Sequence, residues 1–246
     1  MREEVYDFIA QNEENHWWYH SRRIIFMSVL QKTLLPFSRD ERIYDIGCGG
    51  GGNFAVWSRF SDFCIGVDMS EKALDSCKKF AFKGLLLTDA GDLSKITSND
   101  ASLVTLCDVI EHVEDDKRVF EEAYRILKTG GFFFVTAPAY GFLWGGADTL
   151  SLHKRRYSRK QLIQLLQGAH FSVVRSTYFN TFLFPPILVV RMIKRFLKLN
   201  SDMECEPLHG VLNDVLKTIF SFERHLIKHF NLPFGVSIMA IAKKSP

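Results

Sequence analysis

The sequence lacks the cysteine patterns of a disulfide framework or a structural zinc site. Its five cysteines form no C-x-x-C pair and no cysteine–histidine ligand spacing, and their odd number argues against complete pairing. It also lacks an apolar run of the roughly 20 residues that a membrane-spanning helix needs. The opening stretch, MREEVYDFIAQNEEN, does not follow the order of a secretory signal. We therefore expect a reduced, cytoplasmic protein.

A strong charge of one sign is missing as well. The chain has 31 Lys and Arg against 28 Asp and Glu, and the resulting net charge of +3 is too small to predict a nucleic-acid partner. Hydrophobic residues make up 47% of its 246 residues, and 22 of the residues are phenylalanine. This composition supplies the core of a large α/β domain.

Short apolar runs alternate with stretches of helical periodicity. The runs that predict strands are RIYDIG (42–47), FCIGVD (63–68), GLLLTDA (84–90), SLVTLCDVI (102–110), FFFVTA (132–137), FSVVRSTYF (171–179) and GVSIMAIAKK (235–244). Helical periodicity occupies 53–60, 70–81, 115–128 and 158–170, with further helices before residue 38 around the aromatic cluster HWWYH. This alternation predicts βαβ units and a parallel sheet. The long separation of the last two strands predicts a helical insert instead of a hairpin.

Residues 44–53, YDIGCGGGGN, contain four consecutive glycines between a predicted strand and a predicted helix. Glycines let the backbone approach a ligand closely, and a helix N-terminus offers unpaired N–H donors, so the arrangement is typical of a nucleotide-type cofactor site. The residues that fit D-x-G-x-G-x-G are Asp45, Gly47, Gly49 and Gly51. Asp68 ends the next strand about 20 residues on, where a carboxylate can hold a ribose diol. The run also satisfies the dehydrogenase pattern G-x-G-x-x-G.

Five stretches together resemble the class I S-adenosylmethionine (SAM)-dependent methyltransferases. They are IYDIGCGGGG, IGVDMS, LTDAGDL, LVTLCDVIEHVEDD and EAYRILKTGGFFFVTAP, in this order within 42–138. DVIEHV is typical of the subgroup that includes the ubiquinone-biosynthesis O-methyltransferases, and the lysine-glycine-glycine turn that follows is foreign to dehydrogenases. The resemblance implies a Rossmann-like seven-stranded sheet in the order 3-2-1-4-5-7-6, with an antiparallel last strand and helices on both faces.

The pattern of predicted strands and helices divides the chain into three parts. Residues 1–38 are expected to form an N-terminal helical cap, and residues 39–178 with 235–246 the SAM-binding methyltransferase domain. Residues 179–234 are expected to form a helical insert that shapes the acceptor site. Since several segments meet at that site, the sequence predicts no particular acceptor.

The resemblance places six residues around the methionine part of SAM: Arg22, Asp45, Gly47, Gly49, Gly51 and Cys107. It implies that Asp45 accepts hydrogen bonds from the α-ammonium, directly or through water. Cys107 offers its carbonyl near the methionine chain. Arg22 is a candidate partner for the carboxylate, with a surface salt bridge as the alternative.

The other cofactor contacts follow the second and third strands. By resemblance, Asp68 accepts bonds from both ribose hydroxyls and Met69 packs on the adenine face. Asp89 accepts from the adenine N6 amine, and the Ala90 backbone lies at N1. The implied cofactor is therefore S-adenosyl-L-methionine, with S-adenosyl-L-homocysteine (SAH) as its product.

Two histidines are the candidate bases, because methyl transfer to a nucleophile requires alignment and removal of a proton. His112 follows the fourth strand, and its alternative role is to fix that loop. His153 lies in the loop that leaves the fifth strand, with Asp148 as its orienting carboxylate. Glu111 and His112 could contribute to a metal site, but no ligand spacing demands one. We expect no metal.

The acceptor side is predicted from aromatic and basic residues near the same loops. Tyr19, Tyr140 and Trp144 are candidates for contact with the substrate, with core packing as the alternative. Arg155 and Arg156 belong to HKRRYSRK (153–160), which favours an acidic or phosphorylated substrate or is simply a solvated face.

These features predict a soluble SAM-dependent methyltransferase. It would act on an oxygen, or less favourably a nitrogen, of a small molecule such as a sugar, a glycolipid or a natural-product intermediate. Two alternatives stay open: a SAM-binding regulatory subunit without transferase activity, and a membrane-peripheral enzyme on a lipid substrate. The last rests on the apolar, basic helix expected at 187–199, which equally could pack on the sheet. Its basic residues are Arg191, Lys194, Arg195 and Lys198.

Overall fold

A computed structural model describes residues 12–34, 37–197 and 210–245. Seven strands form one sheet: β1 (Arg42–Ile46), β2 (Phe63–Asp68), β3 (Gly84–Leu87), β4 (Ala101–Cys107), β5 (Leu127–Pro138), β6 (Phe171–Phe179) and β7 (Ser237–Lys244). The helices are α1 (Trp17–Thr33), α2 (Phe54–Trp57), α3 (Glu71–Cys77), α4 (Asp116–Ile126), α5 (Gly146–Leu150), α6 (Arg159–Gly168), α7 (Phe184–Phe196), α8 (Val211–Phe222) and α9 (Arg224–Ile227). The predictions for the first eleven residues and for Lys198 fall outside the described residues.

The strand order is β3-β2-β1-β4-β5-β7-β6, which confirms the predicted sheet. β7 runs antiparallel to both β5 and β6, whereas β1 is parallel to β2 and β4. Every residue of β4 is buried, as expected for a parallel strand covered on both faces. The order reverses between β1 and β4, and ligands of open α/β sheets bind at such a switch point.

The abundant phenylalanines fill two cores, one on each face of the sheet. Successive side chains of a strand point to opposite faces, so Phe133 packs 5.3 Å from Phe120 of α4 while Phe134 packs 5.0 Å from Phe26 of α1 (ring centroids). Helices α4 and α6 cover the first face, and α1, α2 and α8 cover the second. Helices therefore lie on both faces, as predicted.

Three element boundaries differ from the sequence predictions. The aromatic cluster HWWYH lies mostly inside a helix, because the His16 side chain caps α1 and the helix begins at Trp17. β4 ends at Cys107, since Asp108 adopts a left-handed φ of 57°. β5 begins at Leu127, which pairs with Ala101, so the predicted glycine turn lies within the strand.

The described part of the insert between β6 and β7 is helical, and its helix α8 packs along α1. The Trp17 amide donates to Asn213 Oδ1 at 2.9 Å, and the Ser21 hydroxyl donates to the Lys217 carbonyl at 3.0 Å. These two bonds hold the N-terminal part of α1 against the insert. Among the residues described above, every helix is too short or too polar to serve as a bilayer span.

The backbone at Gly235, just before β7, packs closely against β6. A Cβ at Gly235 would lie 2.2 Å from the Phe179 carbonyl oxygen, and the backbone cannot yield cheaply there. We predict that Gly235→Ala lowers the free energy of unfolding by about 1–3 kcal/mol in urea denaturation. Gly168→Ala is the matched control, because no described atom lies within 4 Å of its Cβ at the end of α6. It should change stability by less than about 1 kcal/mol; equal losses would contradict the tight fit.

Candidate active site

A cleft of about 1180 Å³ lies at the carboxyl ends of β1, β2 and β4. The predicted site residues that line it are Tyr19, Arg22, Gly47, Gly49, Asp68, Met69, Asp89, Ala90, Cys107, His112, Asp148, His153 and Arg156. Those that do not line it are Asp45, Gly51, Tyr140, Trp144 and Arg155. The fold thus gathers most of the candidates from both the cofactor and the catalytic sets into one cleft.

The glycine turn after β1 is held directly against the end of β2. The Gly49 amide donates to Asp68 Oδ2 at 2.9 Å, and the Ser70 amide donates to Oδ1 at 2.9 Å. Burial raises the pKa of Asp68, although these amide bonds oppose the effect. Because each carboxylate oxygen accepts more than one bond, Asp68 keeps capacity for a pair of ligand hydroxyls. Gly47 passes so close to Val109 that a Cβ would lie 2.4 Å from Cγ2.

Asp45 lies beneath the turn, outside the cleft. It is 1% exposed, and its Oδ1 accepts a bond from the Thr105 hydroxyl at 2.6 Å across the β1–β4 pair. Burial raises its pKa to about 6, although Thr105 and Trp57 act in the opposite direction. The structure offers no direct contact from Asp45 to a ligand, and a water-mediated one stays a prediction. Gly51 also lies outside, facing Phe80.

The residues predicted for the adenosine end line one rim of the cleft. Met69 is 70% exposed next to Asp68, so its side chain is available to cover a flat ring. Asp89 Oδ1 accepts a bond from the Gly91 amide at 2.7 Å, which fixes the carboxylate beside Ala90. Their roles toward adenine stay predictions.

Arg22 reaches into the cleft from α1 and is already paired there. Its Nη1 donates to Asp108 Oδ2 at 2.5 Å, and its guanidinium lies 4.4 Å from the Trp18 ring and 5.2 Å from the Tyr19 ring. Asp108 also accepts a bond from the Thr136 hydroxyl at 3.2 Å. The surface salt bridge considered as an alternative is thus a buried one, and contact with the cofactor carboxylate stays a prediction.

Asp148 is the centre of a buried ionic network on the opposite wall. His153 Nδ1 lies 2.8 Å from Asp148 Oδ1, and Arg156 donates through Nε at 2.8 Å and through Nη2 at 2.9 Å. Burial alone would raise the pKa of Asp148, but bonds from His153 and Arg156 lower it to about 2. An ionised Asp148 takes the proton on Nδ1 as its partner, which leaves His153 Nε2 with a free lone pair.

His112 and Glu111 lie on the other side of His153. The His112 and His153 rings are 4.7 Å apart, and Glu111 Oε1 lies 3.9 Å from His153 Nε2. Burial and the neighbouring His153 lower the pKa of His112 to about 3, while burial raises the pKa of Glu111 well above its usual range. Ligand atoms of these three residues lie within 4.8 Å of one another, a spacing that could hold a metal ion. The expectation of no metal stays a prediction.

The two neighbouring arginines face in different directions. The side chain of Arg156 is 4% exposed, because it is bonded to Asp148 and to the Ala139 carbonyl. Arg155 instead bonds Asp116 and the Glu114 carbonyl outside the cleft. Tyr140 stacks on Tyr178 with ring centroids 5.0 Å apart. Trp144 also lies off the cleft, where its indole donates to the Thr149 hydroxyl at 3.4 Å.

Two polar residues of the cleft carried no signal in the sequence. Glu13 is 5% exposed, and its Oε1 has no hydrogen-bond partner among the described residues. Asn180, at the start of the insert, is fully buried, and both polar atoms of its side chain lack a described partner. Neither belongs to a local motif, so only the folded chain shows that they face the cleft.

Comparison with known proteins agrees with this geometry. Residues 44–135 match the family described as "Methyltransferase domain". A probable S-adenosylmethionine-dependent methyltransferase of Mycolicibacterium smegmatis is 26% identical over 164 residues, 65% of this chain and 61% of that protein. A ubiquinone biosynthesis O-methyltransferase of Coxiella burnetii is 26% identical over 129 residues, 48% of this chain and 55% of that protein. The chain therefore matches only about three fifths of the length of these relatives.

A solved structure extends the agreement to the whole fold. A SAM-dependent methyltransferase from Archaeoglobus fulgidus superposes with a TM-score of 0.56 at 17% identity, covering 90% of this chain and 94% of that one. At this identity the likeness concerns the fold alone. Residues 44–135 of this chain thus match a methyltransferase domain, and the sheet that contains them shares its fold with this SAM-dependent methyltransferase.

Proposed function

We propose that this chain transfers a methyl group from SAM to an oxygen, or less favourably a nitrogen, of a small molecule, with SAH as the product. The observation that carries the proposal is the hydrogen bond between Asp148 and His153, 2.8 Å long, in the cleft that Asp68 also lines. A histidine that is oriented by a carboxylate can act as a base, and Asp68 can bind the ribose hydroxyls of an adenosyl cofactor. Together these two elements suit group transfer from an adenosyl cofactor.

The residues present fit the cofactor. The turn after β1 brings bare backbone to the cleft, and Asp68 keeps acceptor capacity on both oxygens. When bound, SAM supplies a methyl group already activated on a positively charged sulfur. The chain therefore has to align the acceptor and remove its proton.

His153 is the base favoured by the geometry. Asp148 holds Nδ1, so the free Nε2 accepts the proton of an acceptor hydroxyl, and the ionised carboxylate stabilises the imidazolium that forms. His112 is a poor alternative, because a histidine with a pKa of about 3 holds a proton weakly at neutral pH.

The insert supports an amphiphilic acceptor. α7 buries none of its thirteen residues, and its apolar side chains include Phe196, which is 87% exposed. The same helix carries Arg191, Lys194 and Arg195 and no acidic residue. Exposed apolar side chains next to the basic residues Lys194 and Arg195 suit the surface of an anionic bilayer, whereas Arg191 lies against Asp148. Pro186 and Ile187 of α7 line the cleft, so a molecule held at that surface would lie next to the active site.

We predict that Asp68→Ala weakens SAH binding at least tenfold, or by about 1.4 kcal/mol, because the ribose hydroxyls lose their paired acceptor. Calorimetric titration measures the affinity, and thermal unfolding checks that the variant is folded. Asp75→Ala is the matched control, since its side chain is 67% exposed on α3. An Asp68→Ala variant that binds SAH as well as the control would remove the cofactor assignment.

His153→Ala should lower turnover by about 100-fold or more while SAH affinity changes less than about twofold, because the base acts only in the chemical step. The assay follows SAH formation with an extract fraction that the wild-type chain methylates. His112→Ala is the comparison. If His112→Ala abolished turnover and His153→Ala did not, His112 would be the base.

We predict that the chain binds to lipid vesicles through α7 and that this binding depends on the charge of the lipids. Vesicles of phosphatidylcholine and phosphatidylglycerol should sediment the chain, and vesicles of phosphatidylcholine alone should not. Lys194→Glu/Arg195→Glu should weaken binding at least tenfold, at about 1 kcal/mol for each basic residue removed from the surface. Lys78→Glu/Lys117→Glu makes the same charge change at two exposed residues, the C-cap of α3 and the first turn of α4. An equal loss in both variants, or no binding by the wild type, would refute the proposal that α7 binds an anionic bilayer.

A further inference from the structure

Glu13 lies directly on the glycine turn. A Cβ at Gly52 would lie 2.2 Å from its Oε2, and a Cβ at Gly50 would lie 3.5 Å from its Oε1. Any side chain at residue 52 would therefore displace the carboxylate. The Glu13 carbonyl accepts a bond from Arg23 Nη2 at 2.8 Å, which ties this segment to α1. The structure thus explains one glycine of the run by the space that an acidic side chain occupies.

One side-chain oxygen of Glu13 lacks a hydrogen-bond donor. The residue is 5% exposed, lines the cleft, and has no hydrogen-bond partner for Oε1 among the described residues. Burial raises its pKa, and the charges of Arg22, Arg23 and Lys79 only oppose that effect. A buried carboxylate oxygen without a donor is costly, so a cationic ligand group at this position would be stabilised.

The other carboxylates around the glycine turn are less suited to a cationic ligand group in the cleft. Asp45 accepts the Thr105 hydroxyl on Oδ1 and has no described hydrogen-bond partner for Oδ2, but it does not line the cleft. Both oxygens of Asp68 accept backbone amides, at the position suited to ribose. Asp108 accepts Arg22 on one oxygen and Thr136 on the other. Among the carboxylates at this turn that line the cleft, Glu13 is the one with a buried oxygen that accepts no hydrogen bond from a described residue.

We propose that Glu13 binds the α-ammonium group of the cofactor's methionine end. This assignment rests on the proposed function, and it replaces the direct role predicted for Asp45. A charge-assisted N–H···O bond from the ammonium would satisfy Oε1 and offset its burial. The segment before α1 would then act as a cofactor-binding element and add a specificity contact for an amino-acid ligand.

The test compares two ligands that differ only in the amino group: SAH, and the analogue in which a hydrogen replaces the α-amino group. Glu13→Gln should weaken SAH binding by at least about tenfold in calorimetric titration. The affinity for the deaminated analogue should stay within twofold of the wild-type value. Glu14→Gln, at the neighbouring exposed residue, is the matched control and should change neither affinity.

Gly52→Ala provides a second variant, because its Cβ displaces the carboxylate without removing it. It should show the same selective loss of SAH affinity. Equal weakening of both ligands by Glu13→Gln would overturn the proposal and make Glu13 a structural support of the turn. Unchanged SAH affinity would overturn it as well. A wild-type chain that binds neither adenosyl ligand would instead refute the proposed function.

Discussion

The cleft depends on a steric constraint: the backbone that leaves β1 must pass between close neighbours without side chains. Val109 approaches Gly47 from the loop after β4, and Glu13 approaches Gly52 from the segment before α1. Between them, the Gly49 amide bonds Asp68 at the end of β2. Glycine loses more backbone entropy on folding than any other residue. In this turn the cost is offset, because a backbone without side chains lets the end of β2, the loop after β4 and the segment before α1 come together around the cleft.

The acceptor side depends on a buried charge. Asp148 is fully buried yet ionised, because Arg156 holds both of its oxygens and His153 bonds one of them. A buried carboxylate needs such partners to remain charged. The same network fixes the loop after β5 beside α7, since Arg191 Nη1 lies 3.9 Å from Asp148 Oδ2. The proposed base and a basic residue of the insert thus lie next to the same carboxylate.

The fold was largely predictable because its signals are local. Buried strands that end at glycine or aspartate predicted the sheet, and family resemblance supplied its order. His153 and Asp148 lie five residues apart in one loop, so their pairing was also foreseeable. The sequence could not show which of the neighbours Arg155 and Arg156 contacts Asp148, because only the packing of the folded chain decides this. Glu13 reaches the glycine turn through long-range folding, for which its own sequence carries no motif.

The proposed function requires that the cleft bind an adenosyl cofactor for methyl transfer. Its most direct test is calorimetric titration of the chain with SAH and, separately, with NAD, the cofactor of the dehydrogenases that share the glycine pattern. We expect saturable binding of one SAH per chain and no heat of binding with NAD. Saturable binding of NAD without binding of SAH would contradict it.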